Sequence, residues 1–179
     1  MISIMDVLGI VSERLEAAGI EYMLTGSYAL AWYTTPRMTR DLDLVVAMEA
    51  TDVDTVVAVF SPDFYIDEEA VRQAVASRLL FNLMHIESGA KVDLIIRKDS
   101  EYRQLEFSRR RRIEFENSQT WIVSREDLIL SKLLWASDSQ SELQLRDVKA
   151  LLQNDFDRNY LADWAQRPGV AEALEKITA

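Results

Sequence analysis

The chain has 179 residues, a formal net charge of −10, one histidine and no cysteine. The lack of cysteine excludes a disulfide framework, a thiolate nucleophile and a Cys-bearing zinc site, and His85 alone cannot anchor a histidine-rich metal site. The acidic balance disfavours a protein that tracks nucleic-acid phosphates over a wide surface, because such affinity comes from many Lys and Arg contacts. Any bound metal would therefore be held by oxygen ligands.

Apolar residues make up 49% of the chain, which has only five Gly and three Pro, so a globular protein of one ordinary domain is predicted. The apolar runs are too short and too often interrupted by charge to span a bilayer. The amphipathic N-terminus also lacks the basic segment of a secretion signal. We expect a soluble, cytoplasmic protein with no membrane partner.

The first part of the chain alternates between helical and strand patterns. Apolar spacing predicts a helix over about 3–18, and a short strand over 22–24 leads into Thr25-Gly26-Ser27 and a helix over 28–33. A second strand over 41–48 precedes a helix over 53–60, for which Thr51 is the expected N-cap.

A β-hairpin is predicted from the apolar runs 79–86 and 91–97, which flank a loop that contains glycine. The hairpin is preceded by a predicted minor strand over 63–67 and a helix over 68–77. It is followed by a helix over 102–111, a return to the sheet over 113–123 and helices from 125 onward. Residues 124–179 are thus a predicted helical region, and the absence of a linker favours one compact unit.

The one basic cluster, Arg109 to Arg112, lies between Glu106 and Glu114. We interpret it as a solvated helix end in preference to a phosphate site.

Asp41 and Asp43 lie one residue apart at the start of the predicted second strand. Side chains at i and i+2 of a strand point to the same face, so both carboxylates could meet one metal cluster. Magnesium prefers carboxylate oxygens and keeps several waters and substrate phosphates. The pair therefore predicts a site for metal-dependent phosphoryl transfer; the alternative is an exposed strand face that carries two acids.

Asp93 lies within an otherwise apolar strand, where a buried carboxylate needs a partner. If this strand lies beside the strand of Asp41 and Asp43, the three acids converge. Two metals about 3.5 to 4 Å apart could then bridge an attacking oxygen and a nucleotide's phosphates. The alternative is an N-cap or salt-bridge role for Asp93.

Gly26 and Ser27 stand at a strand-to-helix turn. A glycine there lets the backbone approach phosphate oxygens, and the amides of the following helix N-terminus stabilise anionic charge. The alternative is an ordinary helix start capped by serine. Arg37 and Arg40, just before the acids, could contact phosphates or pair with Asp41 and Asp43.

Together, segments 24–30 and 37–46 resemble the signature of the DNA polymerase β-like nucleotidyltransferase superfamily, with Asp93 in the order of its third acid. The resemblance implies an α/β (α+β) fold, with a mixed sheet flanked by helices as a core over 1–123. It also implies binding of a nucleoside triphosphate with Mg²⁺ (or Mn²⁺), held by Asp41, Asp43 and Asp93, and transfer of a nucleotidyl group to an acceptor.

Segments 124–134 and 144–152 are similar to the helical region of the abortive-infection nucleotidyltransferase toxins. This resemblance implies that Lys132 neutralises triphosphate charge, as a point cation suits phosphates, and that Asp147 orients Lys132 or assists the acceptor. Without the upstream motif, a surface helix with Lys and Arg-Asp pairs would be the preferred interpretation.

The leading hypothesis is thus a magnesium-dependent nucleotidyltransferase that modifies RNA, tRNA or protein. Resemblance alone suggests a toxin–antitoxin or phage-defence setting with a cognate antitoxin. One alternative is transfer to a small molecule such as an antibiotic, which the acidic balance would favour for a cationic acceptor. The other is a non-catalytic binding module that keeps the fold.

Overall fold

The computed structural model describes residues 2–35, 41–116, 118–139, 141–167 and 169–178. In this part of the chain, seven strands form one sheet in the order β3-β4-β5-β2-β1-β7-β6. The strands are β1 (Glu21–Thr25), β2 (Asp41–Ala47), β3 (Phe64–Tyr65), β4 (Leu80–His85), β5 (Lys91–Ile96), β6 (Arg111–Phe115) and β7 (Ser118–Ile122). Strand β2 pairs with β5, and β1 with β7, in parallel; the other pairs are antiparallel.

Helices accompany the sheet along the whole chain. They are α1 (Ile4–Ala17), α2 (Gly26–Tyr33), α3 (Val53–Phe60), α4 (Glu68–Ser77), α5 (Glu101–Ser108), α6 (Arg125–Ser139), α7 (Glu142–Leu151), α8 (Arg158–Gln166) and α9 (Ala171–Thr178). The predicted mixed sheet flanked by helices is confirmed. Within the described residues, no helix is long and apolar enough to cross a membrane.

The two central strands β2 and β5 show the alternation expected of a half-buried sheet. One face carries fully buried aliphatic side chains, and the other carries the aspartates. The buried set comprises Leu42, Leu44, Val46, Val92, Leu94 and Ile96. Because burial of the aliphatic face fixes each strand's orientation, it also directs Asp41, Asp43 and Asp93 to the opposite face.

The C-terminal helices share their hydrophobic core with the sheet. Helix α6 buries Leu128, Ile129, Leu130 and Leu133, which belong to the same apolar cluster as the strand residues. This continuity holds α6 rigidly against the sheet, so polar residues of α6 have fixed positions relative to the strand carboxylates. The division at 123/124 stays a prediction.

Asp127, fully buried at the start of α6, links three elements. It accepts hydrogen bonds from Ser124 Oγ at 2.5 Å, from Tyr160 Oη of α8 at 2.6 Å and from Arg109 Nε at 3.0 Å. Burial of a carboxylate is tolerated here because donors surround it.

Several local predictions were wrong. Thr51 does not cap α3, because a 3-10 turn over Ala50–Asp52 precedes that helix and Glu49 N donates to Asp52 Oδ2 at 2.8 Å. Helix α5 ends at Ser108, three residues early, because Arg111 already pairs with β7. By contrast, the predicted return to the sheet over 113–123 is confirmed; this segment belongs to a hairpin that no glycine marked, since its turn has Glu116 at φ 53°.

The basic cluster is only in part a helix end: Arg109 caps α5, whereas Arg111 and Arg112 already belong to β6, and each of the four guanidinium groups contacts another residue of the protein. Arg109 contacts Asp127, Arg110 pairs with Glu21, Arg111 donates to Tyr33 Oη at 2.9 Å and Arg112 donates to Glu16 at 3.3 Å. These arginines fasten the hairpin to the rest of the fold.

Asp127→Ala should lower the free energy of unfolding by about 3 kcal/mol, because it leaves Arg109 and the Tyr160 hydroxyl without their buried partner. Urea unfolding followed by circular dichroism measures the change. Asp163→Ala, at an exposed position of α8, is the control and should change stability by less than about 0.5 kcal/mol. Equal effects of the two substitutions would contradict the structural role of Asp127.

Candidate active site

The register of β2 and β5 brings the predicted acids together. The two strands are parallel, with Asp43 opposite Asp93 and Asp41 opposite Lys91. On the other side of β5, Asn82 of β4 is opposite Asp93, and on the other side of β2, Thr25 of β1 is opposite Asp43. A polar row therefore crosses four neighbouring strands on one face of the sheet. The condition for the acids to converge, that the two acidic strands are neighbours, is met.

Gly26 begins α2 directly beside Asp43. Its φ is +63°, a left-handed conformation that glycine adopts without strain, and it makes the turn from β1 into the helix. A Cβ built on Gly26 would overlap the Asp43 carboxylate, with Cγ of Asp43 only 2.8 Å away. The glycine is therefore needed both for the turn and for the close approach of the carboxylate to the start of the helix.

The carboxyl group of Asp43 is a weaker acid than an ordinary aspartate. Burial, followed by the negative charges of Asp93 and Asp41, raises its pKa from 3.8 to about 6. Lys132 and Lys91 act in the opposite direction, but their positive charges only partly offset the rise. The site thus carries negative charge that its own lysines do not neutralise, which is the condition that favours a bound cation.

Asp93 is held by two donors. Lys91 Nζ lies 2.9 Å from Oδ1 and 3.0 Å from Oδ2 of Asp93, and the Asn82 amide donates to the same carboxylate. The hydrogen bond to Asp93 raises the pKa of Lys91, so its ammonium form is favoured. This contact is the kind of salt bridge that the sequence analysis gives as an alternative role for Asp93.

Lys132 of α6 is buried and points to α7. Its Nζ donates to Asp147 Oδ2 at 2.7 Å and to Gln144 Oε1 at 3.0 Å, with both charged side chains only 5% exposed. The expected contact between Lys132 and Asp147 is therefore present. The catalytic roles of both residues stay predictions.

Two adjoining cavities lie beside the polar row, and Asp43 lines the smaller of them. The smaller, about 130 Å³, is lined by Thr25, Gly26, Ser27, Asp43, Ile95, Leu128, Ser131, Lys132, Trp135 and Gln144. The larger, about 470 Å³, shares Thr25, Ile95, Ser131 and Trp135 with it and extends along the ends of β4 and β5 to α5. The smaller one brings together Gly26, Ser27, Asp43 and Lys132, as the sequence predicted.

Not every predicted site residue can be placed. Arg37 and Arg40 lie outside the described residues. Sequence reasoning missed Lys91, Asn82 and Gln144. Lys91 was detectable as the i−2 neighbour of Asp93 on its strand face, and Asn82 from the register of the predicted hairpin; Gln144 had no signal of its own.

The described residues contain no group of three or more His, Asp or Glu side chains gathered as a ready metal cluster. Asp93 is turned to Lys91 and Asn82, which explains why the three acids are neighbours without forming a common cage. The donor chemistry of Asp41 and Asp43 still fits one magnesium-type ion, since both are strand carboxylates on one face beside uncompensated negative charge. The three-acid metal set stays a prediction.

No protein-family model matches the chain, and no curated protein matches its sequence. Its structure is similar to an antigenic nucleotidyltransferase-like protein from Paracoccidioides brasiliensis, with a TM-score of 0.56 and 18% identity over 94% of this chain and 90% of that protein. The chain has the nucleotidyltransferase fold. The lincomycin-bound lincosamide antibiotic adenylyltransferase LnuA gives a TM-score of 0.55 and 15% identity over 81% and 94% of the two chains. ANT(2")-Ia in complex with adenylyl-2"-tobramycin gives a TM-score of 0.55 and 11% identity over 97% of both chains.

Gly26→Ala should destabilise the protein more than Gly19→Ala, although both glycines have positive φ. A Cβ on Gly19 meets nothing within 4 Å, so only the left-handed strain of about 1–2 kcal/mol is expected there. In an Asp43→Ala background, the cost of Gly26→Ala should fall but stay above that of Gly19→Ala, because the overlaps with Oδ2 and Cγ are removed while the Cβ of residue 43 still lies 2.9 Å from the new Cβ. Urea unfolding of the set provides the measurement, and an undiminished cost in that background would refute the overlap.

Asp43→Asn should stabilise the metal-free protein at high pH. Because the pKa of Asp43 is raised on folding, its contribution to stability is greatest below pH 3.8 and is lost as the pH rises to about 6. At pH 8, the variant should gain up to roughly 3 kcal/mol, since each pKa unit corresponds to about 1.4 kcal/mol. The gain should vanish at pH 4.

Unfolding measured in EDTA across this pH range tests the prediction. Asp163→Asn, at an exposed position, should follow the wild type at every pH. Parallel stability curves for Asp43→Asn and the wild type would show that Asp43 is not under electrostatic strain.

Proposed function

We propose that this protein is a magnesium- or manganese-dependent nucleotidyltransferase. The observation that carries the proposal is the in-register placement of Asp43 beside Asp93, facing the Gly26 turn and the buried Lys132, within a nucleotidyltransferase fold. The alternative of an exposed strand with two acids does not account for the raised pKa of Asp43 or for the glycine against its carboxylate.

The donor triphosphate is assigned to the smaller cavity. The N-terminus of α2 presents backbone amides at Gly26 and Ser27, and such amides bind phosphate oxygens. Lys132 lines the same cavity and supplies positive charge, while Asp147 and Gln144 hold its ammonium in place. The magnesium ion, bound by Asp41 and Asp43, would neutralise phosphate charge and orient the α-phosphate.

Asp93 is assigned the role of the base that activates the acceptor hydroxyl. In the reaction, an acceptor hydroxyl oxygen forms a bond to the α-phosphorus, the bond from the α-phosphorus to the bridging oxygen breaks, and pyrophosphate leaves. Asp93 accepts the hydroxyl proton, since Lys91 and Asn82 keep its carboxylate oriented on the same strand face as Asp43. The proton then passes to solvent.

The larger cavity is assigned to the acceptor moiety. Its volume of about 470 Å³ lies in the range of pockets that hold small molecules or the end of a larger one. The lining contains Arg78, Arg97, Lys98 and Arg103 and one carboxylate, Glu106. Arg78 is paired with Glu49 and Asp99, and Arg103 is paired with Glu106. The positive charge of Arg97 and Lys98 therefore favours an acceptor with anionic groups, such as an RNA end, over a polycationic antibiotic.

A small-molecule acceptor is the second candidate, supported by the fold shared with the antibiotic adenylyltransferases and by the volume of the larger cavity. Incubation with labelled triphosphates and separate RNA, protein and metabolite fractions distinguishes the acceptors. The toxin–antitoxin setting with a cognate antitoxin stays a proposal from the sequence resemblance. Growth arrest on expression, lost in Asp41→Asn, would support it.

Asp41→Asn and Asp43→Asn should each reduce pyrophosphate release by at least about 100-fold, because the metal ligands contribute to transition-state stabilisation. Circular dichroism should show an intact fold, and Asp163→Asn should keep full turnover. Unchanged turnover in the two variants would reject the site. Tight triphosphate binding without pyrophosphate from any acceptor, together with a stoichiometric co-purifying protein, would favour a non-catalytic binding module.

A further inference from the structure

Lys91 occupies a special place among the acids. It is two residues before Asp93 on the same strand face, and it is opposite Asp41 in the register of β2 and β5. Its Nζ lies 2.9 Å and 3.0 Å from the two oxygens of Asp93. An ammonium group is therefore already positioned on the Asp93 side of the acidic row, opposite Asp41.

Asp93 has little capacity left for a metal ion. Besides Lys91, the Asn82 amide donates to its Oδ1, and the carboxylate is only 15% exposed. A metal that took Asp93 as a ligand would have to displace the ammonium and rearrange the amide. Asp41 and Asp43 have no such lysine contact in the structure's described part.

The local charge leads to the same conclusion. The carboxylates of Asp41, Asp43, Asp93 and Asp147 are accompanied by the ammonium groups of Lys91 and Lys132, which leaves two negative charges. One divalent ion neutralises these two charges. A second divalent ion bound by Asp93 would lie close to the Lys91 ammonium. Solvent screens the repulsion between two cations poorly at such a short distance.

We propose that the site binds a single divalent ion, at Asp41 and Asp43, and that the Lys91 ammonium takes the place of a second metal beside Asp93. This inference rests on the proposed function for the location of the first ion. Lys91 is a positioning residue: it fixes the Asp93 carboxylate and supplies the positive charge that a second ion would otherwise bring near the acceptor oxygen.

Counting bound Mn²⁺ by electron paramagnetic resonance tests this proposal without any turnover. The wild type should bind one ion per chain. Lys91→Met should bind two ions, or bind one at least tenfold more tightly, because the competing ammonium is gone. Lys149→Met, which removes an exposed lysine on α7, is the matched control and should behave as the wild type.

Two ions bound to the wild type, or an unchanged count and affinity in Lys91→Met, would overturn the proposal. Circular dichroism checks the fold, and Lys91→Gln serves as a second neutral variant if Lys91→Met does not fold. Turnover is measured on the same samples. Pyrophosphate release by a wild type that binds two ions would reject the Lys91 proposal and support the proposed transferase activity. One bound ion without pyrophosphate release would support the Lys91 proposal and reject the transferase activity.

Discussion

The parallel, in-register pairing of β2 with β5 is the constraint on which the site depends. It places Asp43 beside Asp93 and Asp41 beside Lys91, so residues far apart in sequence form one polar row. The aliphatic residues on the opposite face fix this register, because a shift of one residue would turn Leu42, Leu44 and Leu94 to the open face. The hydrophobic core thereby sets the geometry of the carboxylates.

This arrangement has an energetic cost that other residues partly offset. Burial and like charges disfavour ionisation of Asp43, and the positive charges of Lys132 and Lys91 only reduce the effect. The close approach of Gly26 brings the start of α2 to the same point. A buried carboxylate with a raised pKa beside other acids is typical of functional sites.

Much of the fold was predictable because the determinants are local. The alternation in 41–48 and 91–97, the glycine loop between 86 and 91 and the acids within apolar runs all specify strands directly. The hairpin of β6 and β7 was not predictable, since its turn at Glu116 has no glycine. The arginines at 109–112 were misread because their partners, such as Glu16 and Asp127, come from distant elements. The contact of Asn82 with Asp93 likewise exists only once β4 and β5 are paired.

The most direct measurement is a crystal structure of the protein with Mg²⁺ and a non-hydrolysable nucleoside triphosphate. The account predicts a metal ion bound by Asp41 and Asp43, with the phosphates against the amides of Gly26 and Ser27 and within hydrogen-bond distance of Lys132. A nucleotide bound elsewhere, or one bound at this site with no metal at either carboxylate, would contradict it.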